Sequence, residues 1–268
     1  MLTGIKFSQL GQGDILIDKN WSYRNLWGLA ASKQKLLDQF KYSKEIGFKI
    51  IYDSICPIYD ENMNLTLKNS GHNSQIWPLY DNVTHEDRIS IYKKEVLAGN
   101  FTFVCRVEFP NVLSNENMDE YVEFFMDLVQ NPDFSWIENW TFFENPEQLV
   151  YIDEKDIYVP AISPQNYVTF LSTIRSLAKK TNPNVKIGGP GLLKGLGIID
   201  PNNPLKGDNT FYHNWLKEAV DLSLLQNIDF FTVQLRQEVF GLDYDYIYTL
   251  STLLKDLLSK HLSDVDNV

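Results

Sequence analysis

Cysteine is almost absent: Cys56 and Cys105 are the only two in 268 residues. Each lies in an apolar strand-like run, outside any CxxC or Cys/His spacing. The pattern predicts two buried reduced thiols, gives no framework for disulfides or a thiolate metal centre, and fits a cytoplasmic setting. Basic charge is also scarce, with 24 Lys and Arg against 35 Asp and Glu and a formal net charge of −11. A surface of that sign repels a phosphate backbone, so no nucleic-acid contact is expected from this segment itself, and DNA would have to be met by another domain. No apolar run is long enough to cross a bilayer, and the start, MLTGIKFSQLGQGD, lacks a basic n-region followed by an apolar h-region; neither membrane contact nor export is expected. His72, His85, His213 and His261 fall on loops and helices without a His-x-x-x-His spacing, so no metal and no cofactor is predicted. There is no Gly-x-Ser-x-Gly elbow and neither cysteine has an obvious histidine partner, which leaves nucleophilic hydrolase chemistry without support.

What the chain does contain is apolar and aromatic: 44% hydrophobic and 13% aromatic residues, enough for a substantial core and unlike a disordered chain. Hydrophobic periodicity alternates between two kinds. Strand-like runs at 4–10, 48–55, 101–110, 134–144, 185–191 and 228–235 follow or precede helical spacings at 36–47, 85–99, 119–130, 163–183, 210–227 and 244–262. Ser163 and Pro164 read as the N-cap and first residue of one of these helices. Alternating strands and helices with near-continuously apolar strands imply βαβ units around a parallel sheet, within one domain spanning 1–268. A doubly wound sheet would carry a glycine-rich phosphate turn after its first strand, and GQGD at 11–14 is too short to be one. Long aromatic loops after the strands suit instead a (β/α) barrel with its site at the C-terminal ends of the strands.

The wording of several segments resembles the β-xylosidase and iduronidase type of glycoside hydrolase, family 39 of the retaining clan built on TIM barrels. LLDQFKYSKEIGFKIIYDSICPIYDENM is similar to that family's second helix and strand, and FTFVCRVEFP to its third strand. YVTFLSTIRSLAKKTNPNVKIGGPGLL resembles the segment that reaches the fifth, and IDFFTVQLR the sixth. The resemblance implies an α/β fold of the TIM-barrel type. Because the chain stops at HLSDVDNV after the sixth predicted helix, the expectation is an incomplete barrel of about six βα units, with no assignable nucleophile from a seventh strand.

Against that family the chain departs at the positions that matter chemically. Where the family reads Trp-Asn-Glu-Pro, this sequence reads Phe143-Glu144-Asn145-Pro146, so the resemblance puts an amide, Asn145, at the acid/base position and a carboxylate, Glu144, one residue early. An amide cannot protonate a leaving group. A retaining glycosidase needs its two carboxyls roughly 5–5.5 Å apart, and one residue of strand moves a side chain by about 3.3 Å and to the opposite face. Tyr52 and Ser54 stand where the family commonly has arginine and histidine, and Gln234 where it has histidine. Candidate catalytic residues are therefore Glu144 and Asn145, and candidate ligand-binding residues Tyr52, Ser54, Glu108, Trp140 and Gln234. Glu108 also reads as half of a structural ion pair with Arg106, and Trp140 also as core. Three readings stand: a non-catalytic glycosidase-like barrel that senses a sugar or other small molecule, or serves as an interaction module, within what the resemblance implies is a larger AraC-type transcription regulator; an active retaining hydrolase of β-xyloside-like substrates; and a purely structural barrel.

Overall fold

A computed structural model describes residues 41, 45, 50–55, 57–67, 85–99, 101–143, 146–147, 149–152, 157–192 and 209–233. Five strands form one sheet: β1 (Ile50–Ile55), β4 (Thr102–Val107), β5 (Asn139–Phe142), β8 (Lys186–Leu192) and β9 (Phe230–Val233). Between them run α1 (His85–Leu97), α2 (Met118–Gln130), α3 (Pro164–Thr181) and α4 (Asn209–Asp221). Every neighbouring pair in the sheet is parallel, and the strand order follows chain order without a reversal. With right-handed crossovers, such one-way winding stacks consecutive helices on one face. It is the winding of a barrel wall; a doubly wound sheet reverses its strand order at a switch point.

The described elements agree with the predicted alternation, and one differs in extent. The first strand (4–10) and last helix (244–262) lie outside the described residues, as does most of the helix predicted at 36–47. The aromatic run expected to be one strand from 134 to 144 is a strand only over Asn139–Phe142. Its beginning is taken by a turn instead: Asn131 accepts from the amides of Phe134 and Ser135 through its carbonyl and from that of Asp133 through its side chain. Those amides are thereby lost to any ladder.

Two antiparallel hairpins were not foreseen: β2 (Ile58–Tyr59) with β3 (Leu65–Thr66), and β6 (Leu149–Ile152) with β7 (Ile157–Pro160). Both follow the C-terminal end of a sheet strand. Asp60 shapes the first turn by accepting from the amides of Asn62 and Asn64, each at 2.9 Å. The second hairpin leaves and rejoins the frame at one point, where the Ile162 amide donates to the Pro146 carbonyl at 3.0 Å. Its β-branched runs, LVYI and IYV, on either side of DEKD were the available signal.

The core lies between the sheet and α2, α3 and α4. Phe103, Cys105 and Val107 of β4, Trp140 and Phe142 of β5, and Ile187 of β8 alternate along their strands and are buried. They meet Tyr121 and Phe125 of α2, Phe170 and Ile174 of α3, and Trp215 of α4, which are buried as well. Phe142 meets Phe125 and Phe170 edge-on, with centroids 4.8 and 5.3 Å apart, the geometry that the ring quadrupole favours. Helix α3 starts as predicted: Ser163 Oγ accepts from the Asn166 amide at 3.1 Å, and Pro164 occupies the first turn.

At the N-terminal end of the strands one carboxylate ties three elements together. Asp229 accepts from Lys179 Nζ at 2.7 Å, Arg175 at 3.0 Å and the Ile187 amide at 2.9 Å. Burial works against its charge, but Lys179, the Ile187 amide and Arg175 together outweigh it and hold the carboxyl below the ordinary aspartate value. A depressed folded-state value adds stability that is present above the unfolded value, near pH 4, and lost as pH falls through the folded one. Asp229→Asn is therefore expected to lower stability at pH 7 by about 1 kcal/mol after solvent screening. In urea unfolding the gap to the parent should close below about pH 4; a gap independent of pH would contradict this account.

Candidate functional site

In the parallel register Ser54, Arg106, Thr141, Gly188 and Phe230 form one row across all five strands. Arg106 and Thr141 lie on the sheet face opposite the helices, because they alternate with the core residues just named. Arg106 and Thr141 are nonetheless buried, with 8% and 2% exposure. Gly188 is needed at its place in the row: a Cβ there would lie 2.1 Å from the Phe230 ring.

Two residues on from Arg106, past the end of β4, Glu108 closes an ion pair with its guanidinium. The backbone there is fixed, since the Glu108 amide donates to the Ile55 carbonyl at 2.9 Å. Glu108 also lines a cleft of ≈ 280 Å³ at the C-terminal end of the strands, together with Phe109, Pro110, Asn111, Val112, Phe143, Pro146, Ala161 and Ile162. Helix α2 braces that wall. Phe109 stacks on Tyr121 at 4.0 Å and 6°, and the Tyr121 hydroxyl donates to the Asn111 carbonyl at 3.0 Å while accepting from its amide at 3.2 Å. Burial first, then the neighbouring Tyr59 hydroxyl, drive the Tyr121 phenol well above the usual tyrosine value, so it stays protonated and able to donate. Tyr59 in turn donates to Glu120 at 3.0 Å, joining the first hairpin to the same brace.

On the opposite wall the strand changes character at Phe143. Its φ is +54°, in the left-handed region, and its ring packs with Phe109, Tyr167 and Phe170. Phe142 and Phe143 thus both contact Phe170, so strict alternation of faces ends directly before Glu144. A bulky residue pays a steric cost at positive φ, and such positions cluster near functional sites. Behind this wall Gly189 approaches Tyr167 so closely that a Cβ would sit 2.3 Å from the hydroxyl.

The candidates fall into four groups. Glu108 lies on the cleft wall. Trp140 is fully buried on the helix side, its indole N–H donating to the Ile137 carbonyl at 3.0 Å and its ring edge-on to Phe125. Tyr52 and Ser54 occupy register positions opposite Val104 and Arg106. Glu144, Asn145 and Gln234 lie outside the described residues. The sequence reading missed Tyr121, legible only as part of an apolar helix face, and Glu147, a wholly buried acid just past Pro146. Among the described residues no group of three acids, histidines or cysteines is placed to hold a metal ion, and no described helix is long and apolar enough to cross a membrane.

No family model and no curated protein matches the chain. Among solved structures it is similar to a glucosidase from Croceicoccus marinus, with a TM-score of 0.42 and 9% identity over 73% of this chain and 39% of that one. A monomeric beta-xylosidase from Caulobacter crescentus gives 0.41 and 10% over 77% and 39%. An endo-1,4-beta-mannanase from Eisenia fetida gives 0.39 and 13% over 85% and 65%. The chain spans about two fifths of the length of the first two. Likeness this faint has no weight of its own beside the one-way winding of the sheet.

The contact between Gly189 and Tyr167 makes the cleft's backing sensitive to a single methyl group. Gly189→Ala is expected to lower stability by about 1–3 kcal/mol through overpacking. Tyr167→Phe, which removes the hydroxyl that the methyl would meet, should recover part of that loss in the double variant. Purely additive losses in thermal unfolding would count against the contact.

Proposed function

We propose that this chain is a (β/α) barrel of glycosidase type that binds a sugar or related small molecule at its C-terminal cleft without hydrolysing it. In this reading it is the ligand-sensing module of a larger AraC-type transcription regulator. The observation that carries the non-catalytic part is the Arg106–Glu108 ion pair. Glu108 is the only acid among the described residues lining the cleft, and it is engaged by a buried guanidinium. Paired hydrolysis requires two carboxyls roughly 5–5.5 Å apart, whereas the described cleft lining offers one, already engaged by the Arg106 guanidinium. The amide at Asn145 supports the same reading from the sequence. The acidic composition leaves DNA contact to a different domain, and closure of the sheet into a barrel is part of the proposal, supported by the one-way winding.

One observation favours the catalytic alternative. The left-handed Phe143 interrupts the alternation of faces immediately before Glu144, so the one-residue displacement of the acid no longer implies the wrong face.

The two readings separate in one assay with aryl β-xylosides. The expected result is no turnover above the buffer rate, together with a rise in melting temperature in the presence of a free pentose or hexose. Turnover that disappears in Glu144→Gln would establish the hydrolase instead, and silence toward both substrates and free sugars would leave the structural barrel.

A further inference from the structure

We infer that Glu108 sets the polarity of the ligand: the C-terminal cleft admits neutral, hydroxyl-rich molecules and turns away their carboxylated counterparts. This rests on the ligand-binding reading above and narrows it to a substrate class.

The ion pair is ordered in depth. Arg106 and Glu108 are two residues apart, and the acid is the one nearer the C-terminal end, where the cleft opens. The Arg106 side chain is 10% exposed and contributes nothing to the cleft wall; the Glu108 side chain is 21% exposed and does. A ligand therefore meets acceptor oxygens, with the cation behind them. Most of the described flanking residues are apolar, among them Phe109, Pro110, Val112, Phe143 and Ile162, and none of them is a cation, so an approaching charge loses water without gaining a cationic partner from them.

A sugar hydroxyl donates to such a carboxylate in a charge-assisted hydrogen bond, and the C–H faces of the ring suit the apolar walls. A ligand carboxylate in the same place brings like charges together in a partly dehydrated cleft, the kind of repulsive element by which sites discriminate. The cleft, at ≈ 280 Å³, is of monosaccharide size, so one extra carboxylate cannot be held far from Glu108.

Calorimetric titration of the whole chain with D-glucose and with D-glucuronate, which differ only at C6, tests this. Wild type is expected to bind glucose at least about tenfold more tightly. Glu108→Gln keeps the shape, removes the front charge and leaves the arginine, so the ratio should fall to near unity or invert. Glucuronate binding as tightly as glucose in wild type overturns the inference, as does a preference that survives Glu108→Gln. The wild-type ratio decides alone if that variant does not fold. Binding of neither sugar overturns the sugar-binding reading itself and this inference with it, whereas tight glucuronate binding overturns only the inference.

Discussion

The packing of Phe142 and Phe143 against Phe170 is the contact on which sheet, helices and cleft jointly depend. Phe142, the last residue of β5, and Phe143 just past it reach the same helix residue because the backbone turns left-handed at Phe143. Phe109 arrives from β4 and joins the same group, edge-on to Phe170 at 6.1 Å. Tyr121 and Tyr167 close it on the α2 and α3 sides. The end of the apolar core and the beginning of the cleft wall are thus made of the same side chains. Packing that excludes water from the core therefore also fixes where the strand ends present polar groups, which couples stability to site geometry more tightly than in folds whose sites sit on separate loops.

The alternation of strands and helices could be read from the sequence because it rests on local periodicity. Residues 119–130, 163–183 and 185–191 carry unambiguous spacing, and the structure places α2, α3 and β8 there within a few residues. Features that depend on competition between neighbouring hydrogen-bond partners could not be read this way. The aromatic run from Phe134 suggested one long strand by composition, but Asn131 captures three amides first. The hairpins were missed because short alternating segments inside a loop carry little signal until two of them pair.

The site was legible in part for a similar reason. Arg106 and Glu108 stood out as charges within an apolar run, and their pairing follows from strand alternation alone. Trp140 had two readings, and parity along β5 separates them: it shares the helix-facing side with Phe142, while Thr141 between them faces the opposite way. Phe143 shows the limit of parity as a tool. A single left-handed residue ends the alternation of faces, and nothing in the letters Phe-Phe marks it. The brace from Tyr121 to Asn111 was invisible for another reason, since a buried tyrosine on a helix looks like any core aromatic until its hydroxyl finds a backbone partner across the loop.

The hairpin between β5 and α3 has its two ends fastened by the bond from Ile162 to Pro146. Trp215 of α4 secures the same point by donating its indole N–H to the Ile162 carbonyl at 2.8 Å. A segment whose ends are pinned to the frame can change length at little thermodynamic cost, because closure entropy grows only slowly with loop size. Descendants of this chain could lengthen, shorten or rewrite that hairpin while the helix after it kept its seat. New shapes at the mouth of the cleft would then be open to evolution without the fold having to be found again.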